Sequence, residues 1–198
     1  MDGTRTHPLA RRLATTLMPL RDLADAIHFL CMLHGRHPGV IDYAIEHSAT
    51  NAASEWTAVA AEAFARERAY LIRLVSAAGP LPSTPGQAEC DIAVEGQRHA
   101  LDMLAQSDRN GCAAGAAIAL VLDWRAVRTI LDVAGERLGI PAAASGLTPV
   151  TETASVVAAL ASEAPVERAM VFGARQLLAQ HRGLWDLLEA RASARPGF

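Results

Sequence analysis

The chain has no lysine: every one of the 18 side chains in its Lys+Arg total is arginine. Schiff-base catalysis, a pyridoxal-phosphate lysine and a P-loop lysine are thereby excluded. Cysteine is scarce as well. Cys31, Cys90 and Cys112 are odd in number, widely spaced and free of any Cys-x-x-Cys pair, so neither a disulfide framework nor a zinc knuckle is expected, and a reducing cytoplasm is the compartment that fits. Positive charge is not in excess. At a net charge of -3 no global field gathers phosphates by counterion release, and no nucleic-acid partner is expected. Long apolar runs are missing, since Asp123 and Arg125 interrupt the longest, and the start from Met1 to Pro8 lacks the apolar stretch of a secretory signal. No membrane association is expected. Gly-x-Ser-x-Gly and Gly-x-Gly-x-x-Gly are also absent, which removes the serine-hydrolase, dinucleotide and kinase signatures.

What the chain has in abundance is alanine and a helical spacing of apolar residues. With 51% hydrophobic and 20% charged residues over 198 positions it can bury one core. Surface-to-volume scaling at this length favours a single α-helical domain over 1–198, with 1–18 a peripheral N-terminal segment and 192–198 a flexible tail. Apolar residues recur at three and four rather than two, so helices are predicted and no strand. Thr6 as N-cap and Pro8 open a short helix carrying Leu9, Leu13 and Leu17. A second helix from Pro19 bears Leu23, Ile27, Leu30 and His34 on one stripe and ends at Gly35, the place of a left-handed glycine. A short helix with Val40, Ile41, Ala44 and Ile45 follows. Ser54 caps the next, which Gly79-Pro80 stops, and Thr84 with Gln87 has the form of a capping box for a helix reaching about Asp108. The least polar stretch, Asn110 to Leu138, belongs at the centre, where its Gly and Ala residues let backbones approach. Thr148 caps another start at Pro149, Pro165 breaks or kinks the chain, and Met170, Gly173, Leu177, His181, Leu184 and Leu188 line the final helix. The sum is an all-α antiparallel bundle of about six helices.

In such a bundle, chemistry belongs to ionisable residues on faces that ought to be buried, because a desolvated charge needs a partner or a metal. Glu67 stands out, flanked on its own face by Ala63, Phe64, Tyr70 and Leu71. Asp123 sits one turn from Leu120 and Val127. Glu95 and His99 are one turn apart and align with Ile92 and Met103, so they can meet. His28 flanks one stripe and His181 lies in another. Convergence of Glu67, Glu95, His99 and Asp123 would give the carboxylate and imidazole ligand set of a transition metal. The competing expectation for Glu67 or Asp123 is an arginine from a neighbouring helix. His34 to Gly39 concentrates two imidazoles and a guanidinium at a turn, more simply a helix C-cap. Cys112 near a helix start is a small buried thiol or one activated by the helix dipole.

This set of inward acids on an antiparallel bundle resembles the ferritin-like superfamily, over roughly residues 20 to 190. The resemblance implies a bundle whose helices project Glu and Glu-x-x-His ligands to a metal pair, with Glu67 and the Glu95 and His99 pair as counterparts. The chain itself carries no Glu-x-x-His: Arg98 and Val166 stand three places after Glu95 and Glu163. With no complete catalytic constellation, the leading expectation is a non-catalytic protein that self-associates, as a homo-oligomer, or binds a partner. The alternatives are a metal-dependent oxidoreductase or hydrolase, and a small-molecule pocket walled by Trp56, Trp124 and Trp185.

Overall fold

The computed structural model describes residues 3–46 and 51–195. After a 3-10 turn at Thr4–Thr6, these residues form α1 (Pro8–Leu13), α2 (Leu20–His34), α3 (Val40–Glu46), α4 (Asn51–Ala78), α5 (Gln87–Ala105), α6 (Cys112–Leu138), α7 (Val150–Leu160) and α8 (Ala164–Ser193). No strand occurs among them, and the helices pack antiparallel, so the all-α expectation holds.

Helix α6 is the axle. Its apolar run is buried on nearly every side from Cys112 to Val121, and it contacts all the other long helices, α8 most extensively. Close approach of α6 and α8 depends on two glycines. A Cβ on Gly115 would lie 2.1 Å from the Met170 carbonyl oxygen, and one on Gly173 would lie 2.1 Å from the Cys112 carbonyl oxygen. Backbone touches backbone there, as the small residues of this stretch predict. Gly139, at φ 70°, ends α6 in the left-handed conformation that only glycine takes cheaply. One apolar cluster runs from Leu9 through Trp124 and Trp185 to Leu188, and each fully buried aliphatic side chain in it contributes about 1.5–3 kcal/mol.

Several helix ends differ from expectation. His7, not Thr6, caps α1, its Nδ1 accepting from the Leu9 N–H, and Leu17 lies outside the helix and exposed. Gly35 does close α2, donating to the Cys31 carbonyl, but at a right-handed φ of -74°. Ser54 lies inside the first turn of α4, and the Ile45 side chain is outside the described residues. The Thr84 capping box does not form: α5 starts at Gln87 behind Gly86, while the Thr84 hydroxyl accepts from Arg195 Nε at 3.0 Å. Thr148 makes no N-cap bond to α7, and Pro165 sits in the first turn of α8, separating the two helices.

The first and last described segments are docked into the bundle. Thr4, His7, Leu9 and Leu13 are buried, and His7 Nε2 donates to Asp186 on α8 at 3.0 Å. At the other end Arg191 lies 3.0 Å from Asp25, Arg195 pairs with both Asp22 and Asp25, and Arg191 donates to the Pro82 carbonyl. These bonds clasp α8 to α2; the last positions of the expected tail, 196–198, lie outside the described residues.

Candidate functional site

Asp123 lies on the flank of α6 facing α8 and the N-terminal turn. The 3-10 turn presents Thr4 to it at two points: the Thr4 N–H donates to Oδ1 at 2.9 Å and the Thr4 hydroxyl to Oδ2 at 2.5 Å. Trp185 Nε1 in turn donates to that hydroxyl at 2.9 Å. On the opposite side His181 Nδ1 donates to Asp123 Oδ2 at 2.6 Å, and His181 Nε2 lies 2.8 Å from Nε2 of His34 at the end of α2. Four helical segments thus meet in one buried chain of hydrogen bonds, Trp185–Thr4–Asp123–His181–His34. His34 stands edge-on to Phe64, Trp124 and His181, which fix its ring plane.

The charge state of this chain follows from its surroundings. Burial pushes the Asp123 carboxyl up, but hydrogen bonds from His181 and Thr4 outweigh it and hold the group below the usual carboxylate range. Asp123 is a carboxylate. For His34, burial, the neighbouring His181 and the Arg68 guanidinium all act in one direction and push it well below the ordinary imidazole value. His34 is neutral near pH 7.

Two concavities touch this relay. A predominantly apolar groove of about 900 Å³ lies between the N-terminal segment, α6, α7 and α8, lined by Ala10, Ile118, Ala119, Ala126, Val157 and Ala174 among others. Thr4 and Asp123 lie on its wall, with Arg5, Arg11 and Arg125. At the far end His34 lines a second concavity of about 220 Å³ with Arg36, His37, Tyr43, Arg68, Arg98 and Asp102.

The predicted site residues fall in separate places. Glu67 is buried in α4, where Oε1 accepts from Arg128 Nη1 at 2.8 Å and Oε2 from Trp124 Nε1 at 3.2 Å. This is the arginine pairing expected as the competitor to a metal. Arg128 also donates to Asp132 and to the Ala143 carbonyl, and lies 4.6 Å above the Tyr70 ring. Burial works against its charge, yet Asp132 and Glu67 outweigh that and hold the guanidinium more firmly than usual. Glu95 and His99 do not meet. Both are exposed, and Glu95 accepts from Arg98 at 3.0 Å, because α5 buries Cys90, Val94, Leu101 and Leu104 while Ile92 and Met103 face solvent. Among the described residues no group of three or more His, Cys, Asp and Glu side chains stands together as a metal-ligating set.

His28 Nε2 donates to the Gly79 carbonyl at 2.9 Å, and Cys112 is a buried thiol at the start of α6. The expected C-cap role of His34 gives way to an inward one, while His37 sits beside Asp42, which also holds Arg68. Trp56, Trp124 and Trp185 are core side chains and wall neither concavity. Sequence reasoning missed Thr4 altogether and did not join His34 to His181; an imidazole lying within an apolar stripe was the signal available for both histidines. No helix among the described residues is long and apolar enough to cross a membrane.

Compared with known proteins, residues 1–196 match a family whose description reads "Family of unknown function (DUF6975)". No curated protein and no solved structure matches.

Proposed function

The chain belongs to this family, and we propose that it is a binding protein for a small amphipathic anion held in the groove between the N-terminal segment, α6, α7 and α8. The observation that carries the reading is the groove itself: about 900 Å³ of mostly apolar concavity, a size suited to a drug-sized or lipid-like molecule. Small side chains, Ala119, Ala126 and Ala174 among them, line the groove and leave its space unfilled. Charge selects the headgroup. Arg5, Arg11 and Arg125 stand at the groove, and the one acid on its wall among the described residues, Asp123, is already occupied by Thr4 and His181. An apolar body ending in a carboxylate or phosphate fits this distribution.

Fluorescence titration with a dansyl-labelled undecanoate tests the proposal. Saturable, blue-shifted binding is expected, weakened at least about tenfold by Ala174→Trp, which fills the groove, and by Arg5→Glu with Arg11→Glu, which reverses its charge. Equal affinity in the wild type and Ala174→Trp would place the probe elsewhere and defeat the reading.

A second reading, self-association, is favoured by one surface. Ile92 and Met103, 71% and 64% exposed, lie about three turns apart on the outer face of α5. Light scattering showing a dimer that Ile92→Glu dissolves supports it; a wild-type monomer at high concentration rejects it.

A further inference from the structure

The relay ends in a ring nitrogen that no described residue uses. Asp123 is a carboxylate and can only accept, so the 2.6 Å contact requires His181 to carry its proton on Nδ1. The 2.8 Å contact between the two Nε2 atoms needs one proton between them, and a proton on His34 Nε2 meets that need. His34, being neutral, is left with a lone pair on Nδ1. That nitrogen has no hydrogen-bond partner among the described residues, and His34 lines the 220 Å³ concavity. Two core histidines that merely satisfied one another would need no opening at this end.

We propose that His34 Nδ1 is a catalytic base facing this concavity, taking a proton from a small polar molecule that carries an acidic C–H or O–H and an anionic group, with His181 and Asp123 as positioning residues. The chemistry balances without a redox partner. The substrate's X–H bond breaks and its proton goes to His34 Nδ1, leaving the electron pair on X. His34 releases its Nε2 proton to His181 Nε2, so the positive charge comes to rest on His181 against the Asp123 carboxylate. The reverse transfer returns a proton to the substrate, so the reaction class is proton abstraction followed by reprotonation.

The surroundings match that substrate class from every side. Arg36 and His37 on the turn, Arg68 from α4, Tyr43 from α3, and Arg98 and Asp102 from α5 line the same space. Arg68 is held by Asp42 at 2.9 Å. Arg36 has no ion-pair partner among the described residues, and Arg98, whose Nη2 is given to Glu95, keeps a buried Nε without a partner, so Arg36 is the guanidinium most open to an anion, with Arg98 beside it. The inference stands apart from the apolar groove and survives if that reading fails.

Nitrogen NMR of ring-labelled histidine, together with ring opening of nitrobenzisoxazole, tests it. In that probe a base removes the carbon-bound proton, the N–O bond breaks and a nitrile and phenolate form. The spectrum is expected to show His34 protonated on Nε2 with a bare Nδ1, and His181 protonated on Nδ1. Probe turnover is expected to fall at least about tenfold in His34→Gln. In His181→Asn, where the proton must stay on His34, a lower plateau and an acid limb displaced to lower pH are expected; a merely structural loss would lower the rate without moving the limb. A wild-type spectrum with the proton on His34 Nδ1, or wild-type turnover no faster than His34→Gln, overturns the proposal, and the spectrum needs no variant to fold.

Discussion

Replacing Glu67 with alanine separates an ion pair from a metal ligand. Glu67 is 1% exposed and accepts from Arg128 at 2.8 Å and Trp124 at 3.2 Å. Its removal leaves the guanidinium in the core with one fewer counter-charge. Breaking one side of a buried pair costs about 3–5 kcal/mol. Arg128 keeps Asp132 at 2.8 Å and the Tyr70 face, which draws the cost toward the lower end of that range. The Trp124 N–H loses its acceptor, adding about 1–3 kcal/mol before the two effects, which share one residue, are allowed to overlap. The net expectation is a loss of about 4 kcal/mol.

For a chain of this length each kcal/mol moves the melting temperature by about 2–4 °C, so a fall of roughly 8–16 °C follows. Urea unfolding followed by tryptophan fluorescence and by circular dichroism reads the free energy, and coincidence of the two curves verifies that a two-state value applies. Adding Arg128→Met to Glu67→Leu should recover about 2 kcal/mol or more relative to Glu67→Leu alone, since no uncompensated buried charge remains and Asp132, which loses Arg128, is open to solvent. A loss below about 1 kcal/mol for Glu67→Ala would refute the ion-pair accounting. So would a chelator that lowers the wild-type melting temperature by the same amount and leaves the variant unchanged.

Gly173→Ala should destabilise by about 1–3 kcal/mol, toward the top of that range because its Cβ meets the Cys112 carbonyl rather than a pliable side chain; an unchanged melting temperature would mean that α6 and α8 do not cross this closely. Stability should fall in acid in two stages. His34 is lowered from the ordinary imidazole value near 6.5, so the unfolded chain takes up a proton that the fold refuses, and stability drops as pH falls below about 6.5; Asp123 and Asp42, lowered from near 3.9, add their loss below that second value. Melting temperature against pH measures both, and His34→Gln should flatten the first stage alone. Arg191→Ala leaves the buried Asp25 with Arg195 as its remaining guanidinium and should cost about 3 kcal/mol by urea unfolding, with a wild-type midpoint ruling out the clasp between α8 and α2.

Periodicity carried the helix inventory because α2, α4 and α8 each bury an apolar stripe, and it carried Glu67 because Ala63, Phe64, Tyr70 and Leu71 mark its face as buried. It did not carry α5. That helix has apolar residues on two sides, Ile92 and Met103 on one and Cys90, Val94, Leu101 and Leu104 on the other, and spacing alone gives no reason to prefer either. The partners of the buried groups were illegible for a different reason. Arg128 reaches Glu67 across a separation of 61 positions, Thr4 reaches Asp123 across 119, and Arg195 reaches Thr84 across 111. Each pairing is set by the register between elements, which is fixed by close packing at places such as Gly115 and Gly173 and leaves no local mark. Thr4 shows the consequence most clearly. In isolation it is one polar residue in a short N-terminal stretch, and only the docking of the 3-10 turn against α6 lets it join His181, the stronger influence, in holding Asp123 ionised. The relay therefore belongs to the tertiary fold: the sequence contains its acids and imidazoles, and packing decides that they form a line.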